Sequence, residues 1–146
     1  MREILFRGKQ SDISNWVEGT GIFNDGTNTW LSANEPNRPI AYGMKHKIVL
    51  PATVGQFTGL TDKNGKKIFE GDICKDKHNE LWEVKFGQYG DCSDGMQVGF
   101  HYSKQRTFAN GSIGEELFCM LCSTYHPEAF EVIGNIHDNP ELLETP

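Results

Sequence analysis

The chain has 146 residues, 37% of them hydrophobic and 23% charged, the composition of a globular domain long enough to bury a core without staples. Its formal net charge of −6 counts against a protein that lives on phosphate contacts, since such chains carry a positive field. No apolar run approaches the ~20 residues that cross a bilayer, and Arg2, Glu3 and Arg7 interrupt the N-terminus where a signal peptide needs an apolar stretch. A cytoplasmic protein is expected. Cys74, Cys92, Cys119 and Cys122 are then thiols or metal ligands, not a disulfide framework.

In chain order, residues 15–23 and 29–33 flank Asn24-Asp25-Gly26-Thr27, where Asp-Gly favours a two-residue turn and so a hairpin. Pro36 and Pro39 make residues 32–39 irregular, and a short strand over 46–50 ends at Pro51. The densest turn message is QFTGLTDKNGKKIFEGDICK, residues 56–75. Asn64-Gly65 suits a type I′ turn, and Gly71-Asp72 suits a tight turn that delivers Ile73 into a strand. Such a stretch is what small curled barrels use to change direction.

Period-two alternation dominates the rest. Trp82, Val84 and Phe86 share one face, as do Met96, Val98, Phe100 and Tyr102, so both segments read as half-buried antiparallel strands joined by a loop over 87–95. Ser112 and Glu115 form a capping-box pattern, with Leu117 and Leu121 at helical spacing, and predict one short helix over 112–124 that Pro127 stops. Residues 130–136 return to strand character. The polar tail, 138–146, is expected to be loosely held. With no repeat or linker in view, the reading is a single domain, with an N-terminal hairpin region over 1–50 and a barrel core over about 51–137.

Three blocks of this sequence resemble the YopX-like family of phage and prophage proteins: REILFRG (2–8), VGQFTGLTDKNGKKIFEGDIC (54–74) and FEVIGNIHDNPELL (130–143). The resemblance implies a mainly-β roll with an SH3-type small barrel and an origin in a phage or prophage, hence in a bacterial host cell. It implies no activity. Within the matching blocks Gly59, Asp62, Asn64, Gly65, Gly71, Asp72, Gly134, Asn135, Asn139 and Pro140 are expected to serve structure.

Cys119 and Cys122 form a C-x-x-C with His126 four residues further, half of a zinc site whose fourth ligand would come from Cys92, His101 or His137. A complete site usually shows a second pair, and free cysteines pack like small hydrophobes, so packing is the favoured reading and no cofactor is expected. The carboxylates Asp62, Glu70 and Asp72, and His137 with Asp138, fit turns and caps better than acid–base chemistry. No nucleotide-loop, nucleophile-elbow or zinc-protease motif is present, and the expectation is a protein that is not an enzyme.

Lys63, Lys66, Lys67, Lys75 and Lys77 lie among Phe57, Phe69 and Trp82, a composition that small barrels use to stack single strands. Lys66, Lys75, Lys77 and Trp82 are the candidate binding residues of that alternative. Asp62, Glu70, Asp72 and Asp76 leave the local field nearly neutral, which weighs against nucleic acid. The favoured function is an accessory protein that binds a protein partner or itself through exposed sheet edges.

Overall fold

The computed structural model describes residues 3–33, 45–90, 95–107, 110, 113–120 and 130–144, with the backbone alone at 106–107 and 113–120. It divides into two compact units, Met1–Gly59 and Leu60–Pro146.

The first unit begins with β1 (Phe6–Lys9), β2 (Trp16–Asn24), β3 (Thr29–Ala33) and β4 (Lys45–Val49), followed by a 3-10 turn at Pro51–Thr53 and β5 (Gly55–Thr61). The order is β4-β3-β2-β1-β5, with antiparallel pairing throughout the β1 to β4 ladder. One face is buried because alternate residues are apolar. Leu31, Ala33 and Val49 form its core, with Phe6, Val17, Ile22 and Val54 packed against them. A fully buried Leu or Val contributes about 1.5–3 kcal/mol. The sheet curls far enough for Gln10 to bridge Val49, and the Leu50 N–H donates to the Lys9 carbonyl at 2.8 Å. Gly19 sits at a β-bulge where an added Cβ would lie 1.8 Å from the Ser32 carbonyl oxygen, so only glycine fits.

The second unit holds the last two residues of β5, then β6 (Lys67–Phe69), β7 (Asp72–Lys75), β8 (Leu81–Tyr89), β9 (Gln97–Thr107), β10 (Ile113–Met120) and β11 (Glu131–Asn135). The last five form an antiparallel sheet in the order β10-β9-β8-β7-β11. Ile68, Cys74, Val84, Tyr102, Phe130 and Val132 make the core, with Leu60 and Trp82 against it. The Tyr102 and Phe130 rings stack at 3.9 Å between centroids.

The protein is therefore mainly β, in two open antiparallel sheets and not a closed barrel. The helix expected over 112–124 is corrected: residues 113–120 are a strand paired with β9, while 112 and 121–124 lie outside the described residues. A capping box favours only the first turn, and an isolated helix of about a dozen residues is marginal in water. The eleven-residue β9 offers a full edge of N–H and C=O groups instead. Among the described residues the helical turns are 3-10, and no helix is long and apolar enough to cross a membrane.

The hairpin between β2 and β3 forms as expected, but Asn24 pairs with Thr29 across a four-residue loop, with Asp25 N–H donating to the Asn28 carbonyl at 3.1 Å. Alternation in β8 and β9 holds for Val84 and Tyr102, which are buried, and fails at the far end. There Phe86, Met96 and Val98 are 56%, 58% and 68% exposed.

Candidate functional site

The signature segment builds a turn that joins distant parts of the second unit. Across residues 62–66 the Asp62 N–H donates to the Lys66 carbonyl at 2.8 Å and the Gly65 N–H to the Asp62 carbonyl at 3.0 Å. Gly65 is left-handed at φ 79°, but Asn64 is not, so the expected type I′ turn is corrected to a type I turn closed by a glycine bulge. The Asp62 carboxylate completes it. Its Oδ1 accepts the Asn64 and Lys66 N–H groups at 2.8 and 2.9 Å, and its Oδ2 accepts the Val132 N–H at 2.9 Å. That amide faces away from β7, on the outer edge of β11, where an unpaired donor would otherwise invite another strand. Burial alone would raise the Asp62 carboxyl. The Val132, Lys66 and Asn64 N–H groups, with the Lys66 charge, outweigh it and hold the group below its ordinary 3.8.

The β7–β8 connection, residues 76–80, repeats this geometry. Asp76 N–H donates to the Glu80 carbonyl at 2.9 Å and Asn79 N–H to the Asp76 carbonyl at 3.0 Å, with Asn79 left-handed at φ 63°. Asp76 Oδ1 accepts the His78 and Glu80 N–H groups at 2.8 and 2.9 Å, while Oδ2 takes the Trp82 indole N–H at 3.1 Å. Burial again opposes ionisation, and the Glu80 N–H, the Trp82 indole, the His78 N–H and the His78 charge together win, so this pKa too is lowered. Asp76 was legible in the sequence only as a surface charge. The missed signal was Asp followed three positions later by Asn, a residue that tolerates the left-handed backbone.

The other signature residues also serve structure. Asp72, 1% exposed, accepts the Phe69 N–H at 2.8 Å; Gly71 and Gly59 are left-handed at φ 88° and 89°. Asn135 Oδ1 accepts the His137 and Asp138 N–H groups at 3.0 and 2.9 Å, and Pro140 opens a 3-10 turn at Pro140–Leu142. A Cβ on Gly134 would meet Asn139 Oδ1 at 2.5 Å. Residues 138–144 carry hydrogen bonds, while 145–146, the end of the tail expected to be loosely held, lie outside the described residues.

The candidate binding residues separate into different roles. Lys66 and Lys77 are exposed on the two turns. Lys75 lies 3.9 Å from Glu131 Oε2, which Lys63 approaches at 3.2 Å. Trp82 packs on the core, gives its N–H to Asp76, and has Lys104 Nζ 5.7 Å from its ring centroid. Cys74 is a buried thiol, and Cys119 lies on β10 opposite Tyr102. Cys92, Cys122 and His126 fall outside the described residues, and among those described no three potential ligands gather around a metal position. His101 is buried, stacked on Tyr89 at 4.7 Å.

Among the described residues, the far part of the β8–β9 hairpin exposes several large apolar side chains. β8 has nine residues and β9 eleven, but β7 has four and pairs with β8 only at 81–83. The hairpin therefore runs past its neighbour. Phe86 meets Phe100 edge-to-face at 5.0 Å, and Val98 and Met96 continue the apolar face towards the tip. Beside Phe86 lies an open depression of about 200 Å³ lined by Glu70, Gly71, Glu83, Val84, Lys85 and Ile136. The alternation rule missed this face because it cannot see where a short neighbour ends; the Gly71 and Asp76 that bracket β7 were the available signal.

In the first unit, the outer face of β2, β3 and β4 carries a second cluster. Phe23, 44% exposed, lies parallel to Trp30 at 6.1 Å and edge-on to His46 at 5.4 Å. Asp25 Oδ2 accepts the Trp30 indole N–H at 2.7 Å, and Ser32 Oγ lies 3.1 Å from His46 Nδ1.

This is an antiparallel β protein whose signature residues are turn formers and edge caps, with apolar surface displayed on a protruding hairpin. The family model described as YopX protein matches residues 5–144, and the chain belongs to that family. Protein EF1440 from Enterococcus faecalis, a crystal structure, is similar over 99% of this chain and 100% of its own, at 24% identity and a TM-score of 0.46. No curated protein matches.

Proposed function

We propose that the protein is a phage or prophage accessory protein that works in the bacterial cytoplasm without catalysis, by binding a protein through the end of the β8–β9 hairpin. One observation carries this reading: Phe86, Met96 and Val98 stand more than half exposed together on one protruding hairpin. Contiguous apolar surface of that kind marks interaction sites, whereas scattered apolar residues do not. Asp62 and Asp76 each accept backbone or indole N–H groups, which fits a structural role for these two carboxylates.

The test is paired affinity capture from phage-infected host cells, with light scattering on the same samples, using the wild type and a Phe86→Ser, Val98→Ser double variant. Both positions are exposed, so stability is expected to stay within about 1 kcal/mol. The proposal expects a retained protein, or a concentration-dependent dimer, that the variant loses. Equal behaviour of the two proteins contradicts it.

A second reading, single-strand nucleic-acid binding, is favoured by the aromatic cluster of the first unit. Residues 1–59 carry six Lys/Arg against five Asp/Glu, a net +1, whereas residues 60–146 carry eight against fifteen, a net −7. The acidic balance of the whole chain therefore does not describe the first unit. This reading expects a salt-sensitive mobility shift with single-stranded DNA that Phe23→Ala weakens; no shift at low salt removes it.

A further inference from the structure

The Asn64-Gly65 pair at the tip of the 62–66 turn is reactive as well as turn-forming. Asparagine is thermolabile. The nitrogen of the following residue stands one five-membered ring away from the asparagine side-chain carbonyl carbon, and closing that ring expels ammonia. A glycine in the following position leaves the attacking nitrogen uncrowded, because it has no Cβ. Asn64 and Gly65 are both exposed, so water reaches them.

The closed turn opposes this reaction. Three successive N–H groups converge on Asp62: those of Asn64 and Lys66 on Oδ1 at 2.8 and 2.9 Å, and that of Gly65 on the carbonyl oxygen at 3.0 Å. The Gly65 nitrogen is the nucleophile, and its proton is engaged inside the turn. The electrophile is held as well, since Asn64 Nδ2 donates to Glu131 Oε1 at 3.4 Å. Glu131 lies on β11 beside Val132, whose N–H donates to Asp62 Oδ2 at 2.9 Å. The restraint on the reactive pair and the tie to β11 therefore pass through one aspartate.

We propose that Asn64 is a self-modification site gated by Asp62, and that its conversion to isoaspartate unties β11. When the turn opens, the Gly65 nitrogen gives its proton to hydroxide and bonds to Asn64 Cγ. The Cγ–Nδ2 bond breaks, and ammonia leaves with a proton returned by water. Water then opens the succinimide. Attack at Cγ breaks the new bond and yields aspartate; attack at the backbone carbonyl carbon breaks the original peptide bond and yields isoaspartate. One water is consumed, one ammonia is released, and nothing is oxidised or reduced. Isoaspartate lengthens the main chain by one carbon between positions 64 and 65 and adds a negative charge beside Glu131. The three N–H groups then lose their register on Asp62, and the Val132 N–H is left as an unpaired strand edge. This site is independent of the protein-binding reading.

Ageing of the full chain in warm, mildly alkaline buffer tests this, read by peptide mapping and mass spectrometry. Mapping is needed because the sequence has a second Asn-Gly pair at 110–111. Enzymatic isoaspartyl methylation separates the two products. Asn64 should convert about tenfold or more slowly in the native chain than in urea, because only the open fraction reacts. Asp62→Ala should remove most of this protection. Asp62→Asn, which keeps one side-chain acceptor, should remove part of it, and Asp76→Ala none. If Asp62→Ala does not fold, the comparison of Asp62→Asn with Asp76→Ala still decides. In the aged wild type the isoaspartate fraction should have lost amide-exchange protection at Val132. Asn64→Asp, which adds the charge without the extra carbon, should keep it. Equal rates in native and urea-denatured chain, equal rates in Asp62→Asn and Asp76→Ala, or Val132 protection that survives conversion overturns the proposal.

Discussion

The turns at 62–66 and 76–80 share a backbone path, a left-handed fourth residue and an aspartate whose Oδ1 accepts the N–H groups two and four positions on. They differ in the second carboxylate oxygen. Asp76 spends it on Trp82, six residues away and half-buried, so the bond helps a local hairpin. Asp62 spends it on Val132, 70 residues away and buried, so the bond joins the turn to the outer edge of another sheet. Identical local chemistry thus serves a hairpin in one turn and a long-range contact in the other.

The comparison can be broken by mutation. Asp62→Ala leaves the Val132 N–H buried without an acceptor and strips two bonds from the turn, and should cost about 3 kcal/mol in urea unfolding. Asp76→Ala should cost about 1 kcal/mol, because the Trp82 indole can turn to water; its tryptophan emission should shift to longer wavelength. Equal costs would remove the distinction between the two turns.

How far these features were legible in the sequence follows the same line. Asn64-Gly65 and Gly71-Asp72 located turns correctly because glycine's backbone freedom is local. The turn type was misjudged because Asp62, two residues earlier, organises it through its side chain. The helix over 112–124 failed because β9 offered an edge that no local pattern reveals. Phe86, Met96 and Val98 alternate as core residues do, yet are exposed because β7 stops short of them. Local chemistry was readable, and strand lengths set against each other were not.

Acid should sharpen the comparison next. Both aspartates have lowered pKa values when folded, so each contributes stability that is complete above the unfolded value and is lost as pH falls through the folded one. Wild-type stability should decline below about pH 5. The decline should be shallower in Asp62→Ala than in Asp76→Ala. The smallest effects concern the left-handed residues. Gly65→Ala should cost about 1 kcal/mol, while Asn79→Gly should change stability by less than about 0.5 kcal/mol, since relief of strain and loss of chain entropy offset each other. Thermal melts read both.

Amide hydrogen exchange at Val132 tests the central claim that Asp62 is a structural tie and not a reactive group. In the wild type this amide should exchange among the slowest of β11, and in Asp62→Ala, under conditions where the protein is still folded, it should lose protection while the amides of β8 facing β9 keep theirs. Unchanged protection of Val132 in the variant would contradict the account.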